Sequence, residues 1–191
     1  PRFWQNDTSV AKNSWGYTED QVYKEVAAII GDLIDIVAKN GALLLNIGPR
    51  PDGTIPEPEE QMLLAIGRWL QINGEAIYDT RPFKVYGEGP TAVESGSFTD
   101  TKPQGFTSQD IRFTTKGDAL YALLMAWPEN GEATVQTLAS GLRVYTDEID
   151  SVALLGSNTE LKWSRTARGL KVKLPEEKPY AHAYALKITP R

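Results

Sequence analysis

A carboxyl group that can transfer a proton stands near the start of this sequence, two residues after a glutamine. Asp7 carries a carboxyl group, and Gln5 lies two residues before it, so on a β-strand both side chains would point to the same face. A carboxyl group can donate and recover a proton at useful pH, whereas a glutamine amide cannot. Asp7 can therefore act as an acid or base, or it can be a buried structural aspartate that binds loop amides or a neighbouring strand.

The composition gives little support for a metal site or a reactive thiol. The chain has no cysteine and one histidine, His182, with no carboxylate group around it, so no zinc site is recognisable. We expect His182 to be structural or exposed. The acidic cluster Glu57, Glu59 and Glu60 opens a predicted helix, where the helix dipole accounts for it without a metal. No nucleotide-binding motif is present, and the sequence predicts no cofactor.

Charge and hydropathy narrow the class of protein further. The chain has 191 residues and a formal net charge of -5, and no Lys/Arg cluster stands out. These features argue against a nucleic-acid or anionic-membrane surface. No apolar run has the length of a membrane span. The length suits one large domain or two small ones.

The first 80 residues have an α/β pattern. A short strand is predicted over residues 3–7, followed by a helix whose capping box is Thr18 with Gln21 and whose apolar positions run from Val22 to Val37. An apolar strand over 42–45, between Asn40-Gly41 and Gly48-Pro49, is predicted to be buried on both faces. In parallel folds the loop after such a strand, here 46–55, opens toward the active site.

A second helix follows, with Pro58 in its first turn, apolar positions from Met62 to Leu70 and an end at Asn73-Gly74. These β/α units are too few to complete a parallel sheet. The chain also begins Pro1-Arg2-Phe3-Trp4, without Met. We therefore expect the last part of something larger, with the apolar side chains of Val22, Ile29, Leu33, Leu44 and Trp69 covered by the missing part.

The rest of the chain has an all-β pattern. After a linker-like break at residues 87–90, short apolar or alternating runs alternate with Gly/Asn turns, which predicts an antiparallel β-sandwich. The runs are 111–115, 119–127, 133–138, 152–155, 161–164, 170–174 and 183–188. The predicted domains are 1–83, α/β, and 84–191, all-β.

Three segments, in order and in register, resemble the α-L-fucosidases of glycoside hydrolase family 29. They are Trp4-Gln5-Asn6-Asp7-Thr8-Ser9 with Ser14-Trp15-Gly16-Tyr17; Leu43-Leu44-Leu45-Asn46-Ile47-Gly48-Pro49 with Asp52-Gly53-Thr54-Ile55; and Trp69-Leu70 with Asn73-Gly74-Glu75-Ala76-Ile77-Tyr78 and Arg81-Pro82. The resemblance covers about residues 4–90.

The resemblance implies the last β/α units of a (β/α)8-like barrel followed by a C-terminal β-sandwich. A complete barrel takes about 250 residues, and this chain offers residues 1–83 to it. The implied partner is an N-terminal barrel portion of the same enzyme, which would carry the Asp nucleophile. The implied substrate is a terminal α-L-fucoside, hydrolysed with retention and without a cofactor.

The resemblance also suggests roles for individual residues. Many members have Trp-Glu where this chain has Trp4-Gln5, so Gln5 departs from the pattern of an acid/base residue and is expected to bind substrate instead. Members that lack this Glu must carry the acid elsewhere, either upstream of this chain or at Asp7, the nearest carboxylate. Trp15 matches an aromatic residue that lies against the sugar, where a ring suits the methyl group of fucose; the alternative is a core tryptophan. Trp4 is either a second pocket wall or core.

Asn46 ends the predicted buried strand, and its side chain either bonds a residue of the site or satisfies the Gly48-Pro49 bend.

Two other functions of the chain stay open. The β-sandwich can be a non-catalytic carbohydrate-binding module, with Trp127 or Trp163 as a stacking platform if either ring faces solvent. Gln5 also fits an inactive relative of the fucosidases.

Overall fold

The computed structural model describes residues 2–93 and 105–191, which form two α-helices, ten strands and two short 3-10 turns. Residues 94–104 of the predicted second domain lie outside the described part. In chain order the elements are β1 (Trp4–Ser9), α1 (Val26–Ala38), β2 (Gly41–Asn46), α2 (Glu57–Asn73), β3 (Arg81–Glu88), β4 (Ile111–Lys116), β5 (Ala119–Leu124), β6 (Glu132–Val135), β7 (Ile149–Leu154), β8 (Lys162–Thr166), β9 (Gly169–Lys173) and β10 (Tyr184–Pro190). The 3-10 turns are Gly74–Ala76 and Gln136–Leu138.

Strands β1 and β2 form a parallel pair, with α1 between them in the chain. Their register runs from Trp4 opposite Gly41 to Ser9 opposite Asn46, so the carboxyl ends of both strands coincide. Leu43 and Leu45 pack against the core formed with the helices. Leu44 points the other way and is 55% exposed. Within the described residues the helices cover one face of the pair and leave the other open, as expected for Leu44 if a missing part covers it, so burial of this strand on both faces stays a prediction.

Helix α1 begins at Val26, four residues later than the apolar pattern predicts. The amide of Lys12 donates to the carbonyl of Val22 at 2.7 Å, and that of Lys24 donates to Val10 at 2.9 Å. These bonds hold residues 22–24 extended against the loop after β1. Val22, predicted to lie on the apolar face of the helix, is exposed instead.

A tight turn at Asn40 and Gly41 joins the end of α1 to β2. Asn40 has a φ of 71°, a left-handed conformation that Asn tolerates better than most residues. At Gly41 a Cβ would stand 2.7 Å from atoms of both the Trp4 and Ile36 side chains. Glycine is therefore required where the chain passes between the tryptophan ring and the helix.

The second half of the chain forms two antiparallel sheets, with strand orders β3-β4-β5-β10-β7 and β6-β9-β8. Each of the seven predicted runs overlaps a strand. The two sheets share one hydrophobic core, to which the first contributes Phe113 and Leu186 and the second contributes Val135 and Val172. Two sheets that face each other across a common core are the arrangement expected of a β-sandwich.

Strand β5 is buried on both faces. Leu120, Ala122 and Leu124 belong to the core between the sheets, whereas Tyr121 and Leu123 belong to a second core with the helices. This second core also contains Ile29 of α1 and Trp69 of α2. The expectation that a missing part covers Ile29 and Trp69 is therefore wrong, since the sheet of the same chain buries both.

Polar contacts also join the helices to the five-stranded sheet. The indole N–H of Trp69 donates to the carbonyl of Ala183 at 2.8 Å. Arg112 on β4 donates through Nε to Asp35 of α1 at 2.5 Å, and both side chains are buried. The molecule thus has three layers, in which the five-stranded sheet lies between the helices and the smaller sheet.

Strand β3 was not expected from the sequence. It pairs with β4, but the register shifts between Pro82 and Gly87, and most of its side chains are not buried. The predicted break at residues 87–90 overlaps its end, where the Glu88 carboxylate accepts hydrogen bonds from the amides of Gln136 and Thr137 at 2.7 and 2.6 Å. The strand crosses the predicted boundary between residues 83 and 84, and that boundary stays a prediction.

Candidate active-site rim at the carboxyl ends of strands β1 and β2

The loops that follow β1 and β2 meet at the carboxyl ends of the two strands. The side-chain amide of Asn46, the last residue of β2, donates to the main-chain carbonyl of Trp15 at 2.6 Å. A Cβ on Gly48 would lie 3.1 Å from the amide nitrogen of Tyr17, so the two loops are in close contact there. We call residues 14–17 with residues 46–55 the rim.

Ser9, the last residue of β1, ties the start of its loop to the same point. Its hydroxyl donates to the carbonyl of Ser14 at 3.2 Å and accepts from the amide of Ala11 at 3.2 Å. The amide of Asn46 lies 3.5 Å from the Ser9 hydroxyl oxygen. The ends of both strands therefore bond directly to the loop that carries Trp15.

The far side of this loop is held by other side chains. Asn13 donates to the carbonyl of Asp20 at 3.0 Å and accepts from the amide of Val22 at 2.9 Å. Gln21 donates to the carbonyl of Gly16 at 3.4 Å, and its oxygen lies 3.5 Å from the amide of Thr18. The predicted capping box is thus used inside the loop, where no helix begins.

The loop after β2 folds on itself. Asp52 accepts from the amide and hydroxyl of Thr54 at 3.0 and 2.7 Å, and these bonds hold the pKa of the Asp52 carboxyl below its ordinary value. Arg50 donates to the carbonyl of Ile55 at 3.4 Å and lies 5.7 Å from the centre of the Tyr17 ring. The Arg50 guanidinium therefore connects the two loops of the rim.

Glu59 of α2 forms a hydrogen bond to the main chain of the rim. Although it lies in the first turn of α2, it is fully buried, and its Oε2 accepts from the amide of Gly48 at 2.8 Å. Burial, together with the neighbouring Glu59 carboxylate, raises the pKa of Tyr23. Sequence reasoning assigned Glu59 to the helix dipole alone. Its place in the first turn of α2, soon after the Gly48-Pro49 bend, is the sequence feature that could have indicated this contact.

The candidates on β1 lie on its open face. Gln5 and Asp7 are both exposed and alternate with residues that face the helices, so they share the side on which Leu44 lies opposite Asp7. Trp15 is 47% exposed. The structure thus places Asp7 two residues before the carboxyl end of β1 and Trp15 in the loop above that end.

Trp4 lies elsewhere. It is the first residue of β1, opposite Gly41, so it stands at the amino ends of the strands, and its indole N–H donates to the carbonyl of Lys39 at 3.1 Å. The five-residue separation from Ser9 corresponds to about 16 Å of extended strand. The geometry does not bring Trp4 to the rim.

The buried face of β1 carries a polar pair that the sequence did not reveal. Thr8, almost fully buried, accepts a hydrogen bond from Nζ of the buried Lys24 at 2.5 Å. Lys24 falls within the predicted helix, where a lysine is normally solvated. Its burial follows from the extended segment 22–24, which runs beside the strand.

Glu75, a residue of the third family segment, and the residues His182, Trp127 and Trp163 all lie away from the rim. Glu75 accepts hydrogen bonds from Tyr121 at 2.6 Å and Lys187 at 2.5 Å, which joins the turn after α2 to the sheet. His182 adopts a φ of 72° in the loop before β10, and burial lowers its pKa. The Trp127 and Trp163 rings are half-buried and pack against the core between the sheets. Neither is a flat ring that faces solvent.

In residues 2–93 and 105–191, no group of three or more His, Cys, Asp and Glu side chains is placed to hold a metal ion. Over the same residues, neither helix has the length and apolar character needed to cross a bilayer. A groove of about 850 Å³ lies at one end of the larger sheet, beside Phe83, Tyr145 and Arg191, and it contains none of the rim residues.

Comparison with protein families gives two matches. A family model described as alpha-L-fucosidase matches residues 1–75, and one described as alpha-L-fucosidase C-terminal domain matches residues 104–189. The tissue alpha-L-fucosidase of Homo sapiens is 37% identical over 97% of this chain, and the plasma alpha-L-fucosidase of Homo sapiens is 31% identical over 99% of it. The chain spans about 37% and 38% of the lengths of these two relatives.

Solved structures with the same fold include the Thermotoga maritima alpha-fucosidase in complex with fucose, with a TM-score of 0.74 and 24% identity. It matches 98% of this chain and 39% of that one. A GH29 alpha-L-fucosidase from Bacteroides thetaiotaomicron, trapped as a covalent intermediate, has a TM-score of 0.74 and 21% identity over 99% of this chain and 38% of that one. The two family models together match most of this chain, and it therefore belongs to the α-L-fucosidases of glycoside hydrolase family 29.

Proposed function

We propose that this chain forms the C-terminal portion of a retaining exo-α-L-fucosidase that hydrolyses terminal α-L-fucosides. The observation that carries the proposal is the rim, where the loops after two parallel strands are bonded together at the strands' carboxyl ends. Active sites of β/α barrels are built from such loops. The two family matches support the same function.

In this proposal, residues 1–83 supply the last β/α units of a (β/α)8-like barrel, and residues 84–191 form the C-terminal β-sandwich. The open face of the β1–β2 pair, with Leu44 exposed, supports a barrel interior on that side. The helices on the other face are where a barrel carries its outer layer. The N-terminal barrel portion of the same enzyme is then the partner of this chain.

The proposed chemistry uses two carboxyl groups about 5 Å apart, one as nucleophile and one as acid/base. The Asp nucleophile belongs to the N-terminal portion. Gln5 cannot be the acid/base because an amide does not exchange a proton at useful pH. Asp7 faces the same open side as Gln5, so it is the acid/base candidate that this chain offers.

For substrate binding, we propose that the Trp15 ring packs against the methyl group and C–H face of fucose, and that Gln5 lines the pocket. The half-exposed Trp15 side chain in the rim supports this role. Trp4 is not included, because its indole bonds the end of α1 on the opposite side of the strand. The reaction as proposed needs no cofactor.

The alternative of a separate carbohydrate-binding module has less support. Its discriminating feature was a solvent-facing Trp127 or Trp163, and both rings pack on the core instead. The helices also share a core with the five-stranded sheet, which ties the two predicted domains together.

The test of the proposed function is hydrolysis of an aryl α-L-fucoside. The protein that joins residues 1–191 to the N-terminal portion should release fucose, and residues 1–191 alone should not. In the joined protein, Trp15→Ala should raise KM for the fucoside. Turnover by residues 1–191 alone would show that the nucleophile lies within this chain, and no turnover by the joined protein would favour the inactive relative.

A further inference from the structure

We propose that Asn46 is a positioning residue for sugar selectivity, acting through the main chain of Trp15. This inference rests on the proposed function, because it assumes that the Trp15 ring contacts the fucose methyl group. It adds a role for a side chain that does not itself touch the sugar.

The geometry centres on three successive carbonyl groups in the rim. The carbonyl of Ser14 accepts from the Ser9 hydroxyl at 3.2 Å, that of Trp15 accepts from the Asn46 amide at 2.6 Å, and that of Gly16 accepts from the Gln21 amide at 3.4 Å. The Asn46 bond is the shortest of these three. It is also the one that reaches Trp15 from the neighbouring strand.

The Trp15 ring needs such a support because packing does little to hold it. The side chain is 47% exposed, and a Cβ added at the adjacent Gly16 would find nothing within 4 Å. Asn46, by contrast, is part of strand β2, where it pairs with Ser9 of β1. The Asn46 amide therefore holds the main chain of Trp15 in place, and this limits the positions that the half-exposed Trp15 ring can take.

The structure also decides between the two roles open to Asn46. The Gly48 amide in the bend after β2 is bonded by Glu59 at 2.8 Å, so the bend does not depend on Asn46. The amide of Asn46 is directed instead at Trp15 and Ser9. Replacement of Asn46 should therefore affect the loop that carries Trp15 and leave the loop after β2 in place.

The experiment compares Asn46→Asp with Asn13→Asp in the protein that includes the N-terminal portion. Both changes replace an amide donor with a carboxylate of the same shape, and both remove a bond to a carbonyl of the same loop, Trp15 for Asn46 and Asp20 at 3.0 Å for Asn13. The assay measures kcat and KM for an aryl α-L-fucoside and the matching α-L-galactoside, which carries a hydroxyl where fucose has hydrogen.

We expect Asn46→Asp to raise KM for the fucoside with little change in kcat, and to reduce the fucoside-over-galactoside ratio of kcat/KM by about five-fold or more. Trp15→Ala should reduce the ratio by about 10- to 200-fold. In the Trp15→Ala background, Asn46→Asp should change the ratio no further, because its effect passes through the ring. Asn13→Asp should leave the ratio unchanged.

Three results would overturn the inference in an active enzyme: an unchanged ratio in Asn46→Asp, an equal loss in Asn13→Asp, or a further loss when Asn46→Asp is added to Trp15→Ala. If Asn46→Asp does not fold, Asn46→Ser removes the amide without adding a charge and is judged by the same criteria. An unmutated protein with no activity on the fucoside would instead refute the proposed function and the inference with it.

Discussion

The ion pair between Asp35 and Arg112 joins the α/β segment to the antiparallel sheets, and its removal should destabilise the whole chain. Arg112 Nε lies 2.5 Å from Asp35 Oδ1, and their side chains are 3% and 6% exposed. Asp35 also pairs with Lys39 at 2.6 Å. After Asp35→Ala, the guanidinium would keep the carbonyls of Glu88 and Ile111 as acceptors and no carboxylate.

Removal of one partner from a buried pair costs about 3–5 kcal/mol because the other charge stays buried without compensation. With a urea dependence of about 2 kcal/mol per molar, the unfolding midpoint should fall by about 1.5–2.5 M. Tryptophan fluorescence and far-UV circular dichroism in urea would measure the change. Glu148→Ala is the matched control, since its pair with Arg191 is exposed on both sides and worth less than about 1 kcal/mol.

A double replacement separates the buried charge from other effects of the mutation. Asp35→Leu combined with Arg112→Met removes both charges and should be less destabilising than Asp35→Ala alone. The reasoning is refuted if Asp35→Ala costs no more than the Glu148 control, or if the double variant is as unstable as the single one.

Three further predictions concern single side chains. Gln5→Glu should leave the pH profile of the complete enzyme without a new acidic limb; a many-fold faster enzyme with such a limb would identify position 5 as a lost acid/base site. Glu59→Ala should lower the free energy of unfolding by about 1–3 kcal/mol because the buried Gly48 amide loses its acceptor. Glu59→Gln keeps an acceptor and should cost less. Equal losses in the two variants would exclude this hydrogen bond as the cause. The pKa of Glu75 is lowered, chiefly by Lys187, so its contribution is present above the unfolded pKa and is lost as pH falls through the folded value. The stability difference between Glu75→Gln and the unmutated protein should be small, largest near neutral pH and lost as the pH falls through the folded pKa of Glu75. A difference that grew in acid would contradict the assignment.

The strands of the second half could be predicted from the sequence because turn residues separate them and their apolar runs are short. The longest predicted run, 119–127, contains β5, which is apolar throughout since it faces two cores. Strand β3 could not be predicted in this way. Its side chains are exposed or only partly buried, and it contains a proline and a register shift, so neither alternation nor hydrophobicity marks it.

The rim shows the limits of local patterns more directly. The sequence placed Asn46 at the end of a strand and Trp15 in a loop, but their 31-residue separation hid the bond between them. The helix start was predicted too early because Val22 fits the helical period, while main-chain bonds from Lys12 and Lys24 favour an extended segment. The burial of Glu59 was missed for the same reason, since a helix terminus alone already accounts for an acidic residue.

The position of β5 between two cores restricts how members of this family can exchange parts. Its odd- and even-numbered side chains meet different neighbours, so the sheet and the helices must match each other along one strand. A C-terminal domain taken from a distant relative would bring a β5 whose side chains fit other helices. It would also replace Ala183 and Arg112, the residues that bond Trp69 and Asp35 here. Recombination between such enzymes should therefore succeed when the crossover lies before α1, so that both helices and the sheet are inherited together.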